Sequence, residues 1–177
     1  MKTNKEKQQQ VFDALKGTYG YTNVFEAPHL SKIVISAGVG SVKDKQKIEL
    51  IQDRLAKITG QAPAKRGAKK SIASFKVREG DLTGFQVTLR GTRMHEFLNK
   101  LLTIAIPRTR DFRGIPSDSF DEMGNYTLGI KEHTIFPETS DEELRNVFGF
   151  AVTVVTTAKS IEEARALLTH LGFPFKK

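Results

Sequence analysis

A stretch of the chain that cannot be buried constrains the fold more than any other feature of the sequence. From Ala64 to Arg78 there are six basic residues and no acidic ones, mixed with glycine, alanine, serine and one aromatic residue, Phe75. Like charges repel and small side chains bury little apolar area, so this segment contributes no core. We predict a projecting basic hairpin loop at about residues 64–80. Such a loop is typical either of a solvated, mobile segment or of contact with a polyanion.

The positive charge of the chain is unevenly distributed. The 177 residues carry a formal net charge of +8, but residues 1–116 carry +12 and residues 117–177 carry −4. One part of the molecule is therefore suited to a polyanion and another part is not. This balance favours nucleic acid as the partner, with an anionic lipid surface as the alternative.

Several classes of function are excluded or disfavoured by what the sequence lacks. The absence of cysteine excludes disulfides, thiolate zinc sites and cysteine nucleophiles. No uncharged apolar run approaches the roughly 18 residues of a membrane span, and the first residues do not read as a signal peptide. We therefore expect a cytoplasmic protein without a membrane partner. The four histidines show no metal-ligand spacing, and we expect no metal, no cofactor and no enzymatic activity.

The apolar periodicity predicts an α+β fold. Residues 85–90 alternate strictly between apolar and polar, as a half-buried strand does, and three further segments read as strands: 30–35, 126–131 and 150–155. Four segments show helical spacing or helix end signals: 5–19, 48–58, 91–106 and 160–171. We predict a single domain, residues 1–177, with a mainly antiparallel sheet, helices packed on one face and the long basic hairpin loop.

If helices cover one face of the sheet, the other face is accessible to solvent. Its residues are short or polar, with scattered positive charge: Gln86, Thr88, Arg90, Thr127, Gly129, Lys131 and Thr153. Hydroxyl and amide groups of this kind suit contact with a sugar–phosphate backbone. The strand aromatics fall on the core side, which argues against stacking of bases on the sheet. The alternative is a face that is merely solvated.

The sequence Gly38-Val39-Gly40 after the first strand invites a nucleotide-binding interpretation. The dinucleotide fingerprint needs a third glycine where this chain has Lys43, and the Gly-Lys-Ser/Thr of a phosphate-binding loop is missing. We therefore predict a tight turn that another backbone approaches closely.

Six blocks follow one another along the chain: residues 68–80, 87–94, 106–114, 124–130, 135–138 and 173–177. Together they resemble the bacterial form of large-subunit ribosomal protein number five, the family that binds 5S ribosomal RNA. The resemblance runs from about residue 10 to the C-terminus. It implies a non-enzymatic structural component of the large subunit, located in the central protuberance of the cytoplasmic ribosome.

The resemblance also implies a set of partners. These are 5S rRNA, large-subunit rRNA, the peptidyl-site tRNA and neighbouring ribosomal proteins, including a small-subunit head protein. A basic RNA-binding chaperone module outside the ribosome is the alternative that the composition leaves open.

Three groups of RNA-facing residues follow from the resemblance and the outer face together. The expected rRNA-binding residues are Ser36, Gly38, Val39, Gly40, Gln86, Thr88, Arg90, Gly91, Thr127, Gly129 and Thr153. The residues of the loop expected near tRNA are Lys69, Lys70, Ser71, Ser74, Phe75, Lys76 and Arg78. An additional basic cluster is formed by Arg108, Arg110 and Arg113.

This chain departs from the family pattern at a few of these positions. Ser36, followed by Ala37, stands where the family usually has Asn before the Gly-Val-Gly turn, so a hydroxyl replaces an amide. Lys69 replaces a usual Arg, which keeps the charge but loses the planar fork that binds phosphate in a bidentate manner. Ser74 replaces a usual Gly.

Overall fold

The structure is a computed structural model that describes residues 4–42, 44–110, 112–140 and 146–176. Its strands form one five-stranded sheet in the order β2-β3-β1-β5-β4. The strands are β1 (Leu30–Gly38), β2 (Ala64–Gly67), β3 (Leu82–Leu89), β4 (Tyr126–Ile130) and β5 (Phe150–Thr156). The helices are α1 (Asn4–Gln9), α2 (Val11–Tyr19), α3 (Lys45–Thr59), α4 (Gly91–Lys100) and α5 (Ile161–Leu171). The predicted α+β class is confirmed.

The sheet is antiparallel, as predicted. Strand β2 pairs antiparallel with β3, with Ala64 opposite Gln86. Backbone hydrogen bonds of 2.9–3.1 Å join the end of one strand to the start of its neighbour at three further places: Val39 with Thr83, His29 with Thr157, and His133 with Phe148. This end-to-start pattern is that of antiparallel neighbours.

The predicted single helix over residues 5–19 is wrong, because the chain breaks at Gln10 into α1 and α2. Both helices contact α5, and α1 also contacts α4. Helix α1 is fixed by Asn4, whose backbone N–H donates to the Asn99 side chain over 3.0 Å, and by Lys7, whose ammonium donates to the Leu171 carbonyl over 2.9 Å. The apolar periodicity of a segment cannot predict these hydrogen bonds, because their partners lie 95 and 164 residues away in the sequence.

The sequence predicts that the helix beginning at Gly91 ends before Pro107. Instead, the helical path continues after α4 and passes through Pro107. Residues Leu101–Ala105 form a wide π-helical turn, and Ile106–Arg108 form a short 3-10 turn. Pro107 lies in the first positions of that new turn, where a backbone N–H would have no partner within the turn. The proline is therefore accommodated at a change of helix type.

The chain separates into two compact units. The first comprises Met1–Ile33, Leu89–Leu128 and Val152–Lys177, and the second comprises Val34–Thr88 and Gly129–Ala151. In the first, buried Tyr126 donates to the Pro116 carbonyl over 2.7 Å and meets the ring of Phe175 edge-on, and burial raises its pKa to about 12. The core of the second includes apolar residues of α3, β1 and β3. The single domain over 1–177 stays a prediction.

Among the described residues, no helix combines the length and the apolarity that crossing a bilayer requires.

Candidate nucleic-acid interface

Burial alternates along β3 as the sequence predicts. Phe85, Val87 and Leu89 are buried, whereas the side chains of Gln86 and Thr88 remain half-accessible. Arg90 is exposed and lies one residue beyond the strand, at the N-cap position of α4, with extended backbone. The side of β3 opposite the core is thus polar and ends in a guanidinium group.

The basic segment forms a hairpin with its own backbone hydrogen bonds. At its neck, the N–H of Ala68 donates to the Asp81 carbonyl over 2.8 Å, and that of Gly80 to the Ala68 carbonyl over 3.0 Å. Further out, Ile72 and Val77 exchange two bonds of 2.9 and 3.3 Å. These hydrogen bonds extend the β2–β3 pair outward along the segment.

The tip of this hairpin presents an aromatic ring beside positive charge. A short 3-10 turn, Ala73–Phe75, is closed by Lys76 in the left-handed region at φ 52°. Phe75 is 75% exposed. Every residue expected near tRNA is exposed: Lys69, Lys70, Ser71, Ser74, Phe75, Lys76 and Arg78. An accessible ring flanked by cations can stack on a base while the cations neutralise phosphates.

The base of the hairpin is hydrogen-bonded to two side chains of β3. The Arg66 Nε donates to the Gln86 side-chain oxygen over 2.6 Å, and the Thr83 hydroxyl donates to the Arg66 carbonyl over 3.0 Å. Arg66 was absent from the predicted site residues. Its place in the basic stretch was a signal, but its partner is 20 residues away and no local pattern identifies it.

The predicted residues at the end of β1 and in the turn that follows it lie in two environments. Ser36, Gly38 and Gly40 are exposed. Val39 is only 1% exposed, and its N–H donates to the Thr83 carbonyl over 2.9 Å, so its side chain supports the turn from inside.

The backbone of β3 approaches this turn, as predicted, but the glycine that the approach requires lies on β3. A Cβ atom at Gly40 would meet Thr83 at an ordinary 3.8 Å, whereas one at Gly84 would lie 2.8 Å from the Ala37 carbonyl oxygen. Gly84 is therefore the glycine that lets β3 lie against β1.

Strands β4 and β5 carry a pair of hydroxyl groups. The Thr127 and Thr153 Oγ1 atoms are 3.0 Å apart and hydrogen-bonded; Thr127 is exposed and Thr153 half-exposed. Gly129 is exposed too, and a Cβ atom there would meet nothing within 4 Å. The pair offers donors and acceptors to a sugar–phosphate backbone, and Gly129 leaves room for one to approach.

The remaining predicted residues lie at and after α4. Gly91 is exposed and has φ +59°, a conformation that favours glycine where the chain passes from β3 into the helix. Arg108, Arg110 and Arg113 are all exposed, and Asp111 lies outside the described residues. The three guanidinium groups form a second positively charged segment.

Within the described part of the chain, no group of histidine and carboxylate side chains could hold a metal ion.

A basic α+β protein with an ordered cationic hairpin and hydroxyls along its strands is typical of proteins that bind structured RNA. Comparison with known families specifies the class. Residues 23–78 match the model of ribosomal protein L5, and residues 82–175 match the model of the C-terminus of the same ribosomal protein family. The chain belongs to the ribosomal protein L5 family.

Individual relatives agree with this assignment over nearly the whole chain. The large ribosomal subunit protein uL5 of Flavobacterium johnsoniae is 51% identical over 173 residues, covering 97% of this chain and 94% of the relative. That of Rubrobacter xylanophilus is 51% identical over 169 residues, covering 95% and 94%. That of Ureaplasma urealyticum is 51% identical over 164 residues, covering 92% and 89%. The resemblance noted in the sequence is confirmed, and the family is one of ribosomal proteins, not of enzymes.

Proposed function

We propose that this chain is a structural component of the large ribosomal subunit in the cytoplasmic ribosome. In this proposal it binds 5S rRNA through the polar side of its strands and presents the hairpin tip to the peptidyl-site tRNA. The observation that carries the proposal is the sorting of side chains along β3, where the ring of Phe85 is buried while Thr88 and Arg90 are accessible. The names of the relatives support membership of the large ribosomal subunit, and the family resemblance supports binding to 5S rRNA.

Recognition of 5S rRNA rests on backbone and shape contacts rather than on base stacking. The hydroxyls of Thr88, Thr127 and Thr153 can donate to phosphate oxygens and exchange hydrogen bonds with 2′-hydroxyls. Arg90 adds a guanidinium that can hold a phosphate through two parallel bonds. The aromatic side chains of the strands, Phe85, Tyr126 and Phe150, are buried, so none of them can stack on an RNA base.

The hairpin tip suits a partner whose sequence varies. Stacking on Phe75 tolerates any base, and Lys76 neutralises phosphate without reading sequence. A tip that meets every tRNA in turn needs this tolerance. The hydrogen bonds at the neck hold the tip in place, which lowers the ordering cost of contact.

Further partners in the proposal are large-subunit rRNA and neighbouring ribosomal proteins, including a small-subunit head protein. Arg108, Arg110 and Arg113 are candidates for the large-subunit rRNA contact, because three exposed guanidinium groups follow one another closely in sequence.

Replacement of Arg90 by alanine is expected to weaken 5S rRNA binding about tenfold, the effect of one lost charge-assisted phosphate contact. Lys76→Ala removes one positive charge at the hairpin tip and is expected to change 5S affinity less than about twofold, because the tip serves tRNA. Filter binding at about 100 mM salt measures both variants. Equal losses, or a greater loss for Lys76→Ala, would contradict this division of labour.

Replacement of Phe75 by alanine is expected to weaken retention of peptidyl-site tRNA by reconstituted ribosomes about fivefold, since one base loses its stacking surface. Binding of 5S rRNA should stay unchanged, which serves as the internal control. Phe75→Tyr keeps a ring and should retain tRNA normally. Unaltered tRNA retention in Phe75→Ala would remove the tip from the tRNA contact.

Sedimentation separates the ribosomal role from the chaperone alternative. The native protein should migrate with large subunits in a sucrose gradient and stay with them through a salt wash that removes loosely bound proteins. A chaperone outside the ribosome would instead remain near the top of the gradient.

A further inference from the structure

The basic hairpin has a middle section in which no backbone hydrogen bond joins its two arms. The neck bonds end at Ala68 and Gly80, and the next bonds outward join Ile72 to Val77. Residues 69–71 of the first arm and 78–79 of the second lie between these bonds, and the structure describes all of them. A hairpin whose ladder is interrupted can bend at the interruption. The orientation of the tip therefore depends on what else holds the arms there.

A serine hydroxyl bridges this middle section. The Glu79 N–H donates to the Ser71 Oγ over 2.9 Å, so a side chain supplies the acceptor that a carbonyl group supplies in a regular ladder. Ser71 is one of the residues expected near tRNA, and it is exposed. Its oxygen nevertheless has a partner within the protein, which gives this side chain a structural task.

A carboxylate fixes the turn that leads the second arm back to the neck. The Asp81 N–H donates to the Arg78 carbonyl over 3.1 Å, and the Arg78 N–H donates to the Asp81 carboxylate over 2.8 Å. Gly80, the third residue of this four-residue turn, has φ +88°, which favours glycine. Because Arg78 and Asp81 exchange two hydrogen bonds, the direction in which the second arm leaves the neck is defined.

The charge of Asp81 is unsuited to direct contact with RNA. Asp81 and Glu79 are the two acidic residues between Ala64 and Leu82, and both are exposed. A carboxylate near phosphates repels them. The Asp81 carboxylate has a hydrogen-bonding task that offsets this repulsion. The Glu79 carboxylate makes no hydrogen bond or ion pair within the part of the chain that the structure describes.

We propose that Ser71 and Asp81 are positioning residues of the hairpin, which hold Phe75 and Lys76 in the orientation in which the tip meets tRNA. The inference rests on the proposed function, from which it takes the tRNA contact. Neither positioning residue has to touch the tRNA. A tip that is fixed before contact loses less conformational freedom on binding than a tip that bends at the middle section.

The first experiment measures the order of the hairpin in the full-length protein without RNA. Trypsin cleaves after Lys76 and Arg78, and Asp81→Ala is expected to raise the initial cleavage rate at these two sites about fivefold, the effect of one lost hydrogen bond. Asp81→Asn loses the same charge but keeps an oxygen that accepts from the Arg78 N–H, so its rate should stay within about twofold of wild type. Ser71→Ala should behave like Asp81→Ala, and Ser71→Thr, which keeps the hydroxyl, like wild type.

The second experiment measures retention of peptidyl-site tRNA by ribosomes reconstituted with each variant. Asp81→Ala is expected to retain tRNA about fivefold more weakly, and Asp81→Asn to retain it as wild type does. The matched control is Glu79→Ala, which also removes one carboxylate from the hairpin and should retain tRNA at least as well as wild type. The melting temperature and 5S rRNA binding should not fall in any of these variants, because the substituted residues are exposed.

Equal cleavage of wild type and Asp81→Ala would overturn the proposal. So would equal losses of tRNA retention in Asp81→Ala and Asp81→Asn, because the charge and not the hydrogen bond would then be responsible. The two experiments also separate this proposal from the proposed function. Faster cleavage of Asp81→Ala, together with normal tRNA retention by Phe75→Ala, would support the positioning of the tip and contradict only its tRNA partner.

Discussion

The affinity of this protein for 5S rRNA is expected to fall roughly 100- to 500-fold when monovalent salt rises from about 50 to about 200 mM. Each phosphate that a cation neutralises releases condensed counterions, which changes the logarithm of the affinity by about 0.7 to 0.9 per decade of salt. The estimate assumes about five phosphate contacts between the protein and 5S rRNA. Filter binding over a salt series gives the slope directly.

The same titration on two variants locates the contacts. Arg90→Ala should reduce the slope by about one unit, and Lys76→Ala should leave it unchanged, although each variant loses one positive charge. An affinity that does not respond to salt would eliminate backbone contacts as the basis of 5S binding.

Replacement of Gly84 by alanine is expected to lower the free energy of unfolding by about 2 kcal/mol. The added Cβ would lie 2.8 Å from the Ala37 carbonyl oxygen and 3.7 Å from the Gly38 Cα, and all of these atoms belong to the backbone of β1. No side chain can rotate away, so β1 and β3 must move apart and their hydrogen bonds must lengthen. Urea unfolding of wild type and variant measures the difference.

Gly129→Ala is the matched control for this substitution. Gly129 also lies in a strand, but a Cβ there would meet nothing within 4 Å, and the φ of Gly129 is not positive. We expect a change within about 0.5 kcal/mol, with a small gain from the reduced freedom of the unfolded chain. Equal destabilisation by the two substitutions would show that lost glycine flexibility, rather than the clash with β1, is responsible.

The candidate interface was predictable where a residue's exposure depends on its own strand or loop. Thr88 and Arg90 could be placed on the accessible side because alternation fixes which side each residue takes. The exposure of Lys69, Phe75 and Lys76 followed from a segment too charged and too small to be buried. Val39 differs: the sequence placed it with its exposed glycine neighbours, but its side chain is buried.

Other parts of the site and its surroundings depend on contacts that local pattern does not contain. The Arg66–Gln86 hydrogen bond joins residues on paired strands, and the register that brings them together includes an irregularity between Arg66 and Gly67. The hydrogen bond between the Glu79 N–H and the Ser71 hydroxyl requires the two arms of the hairpin to face each other. No spacing along the chain signals either arrangement.

The sequence by itself determined the α+β class, the extents of most strands and helices to within a few residues, and the exclusion of the basic hairpin from the core. These properties depend on the period of apolar residues and on local charge, which are the same whatever the strands pair with. The tertiary structure alone decided the strand order β2-β3-β1-β5-β4 and the helix break at Gln10. It also decided the close approach of β1 that leaves no room for a Cβ atom at Gly84. Many pairings satisfy one alternating pattern, and only the packing of all elements together selects among them.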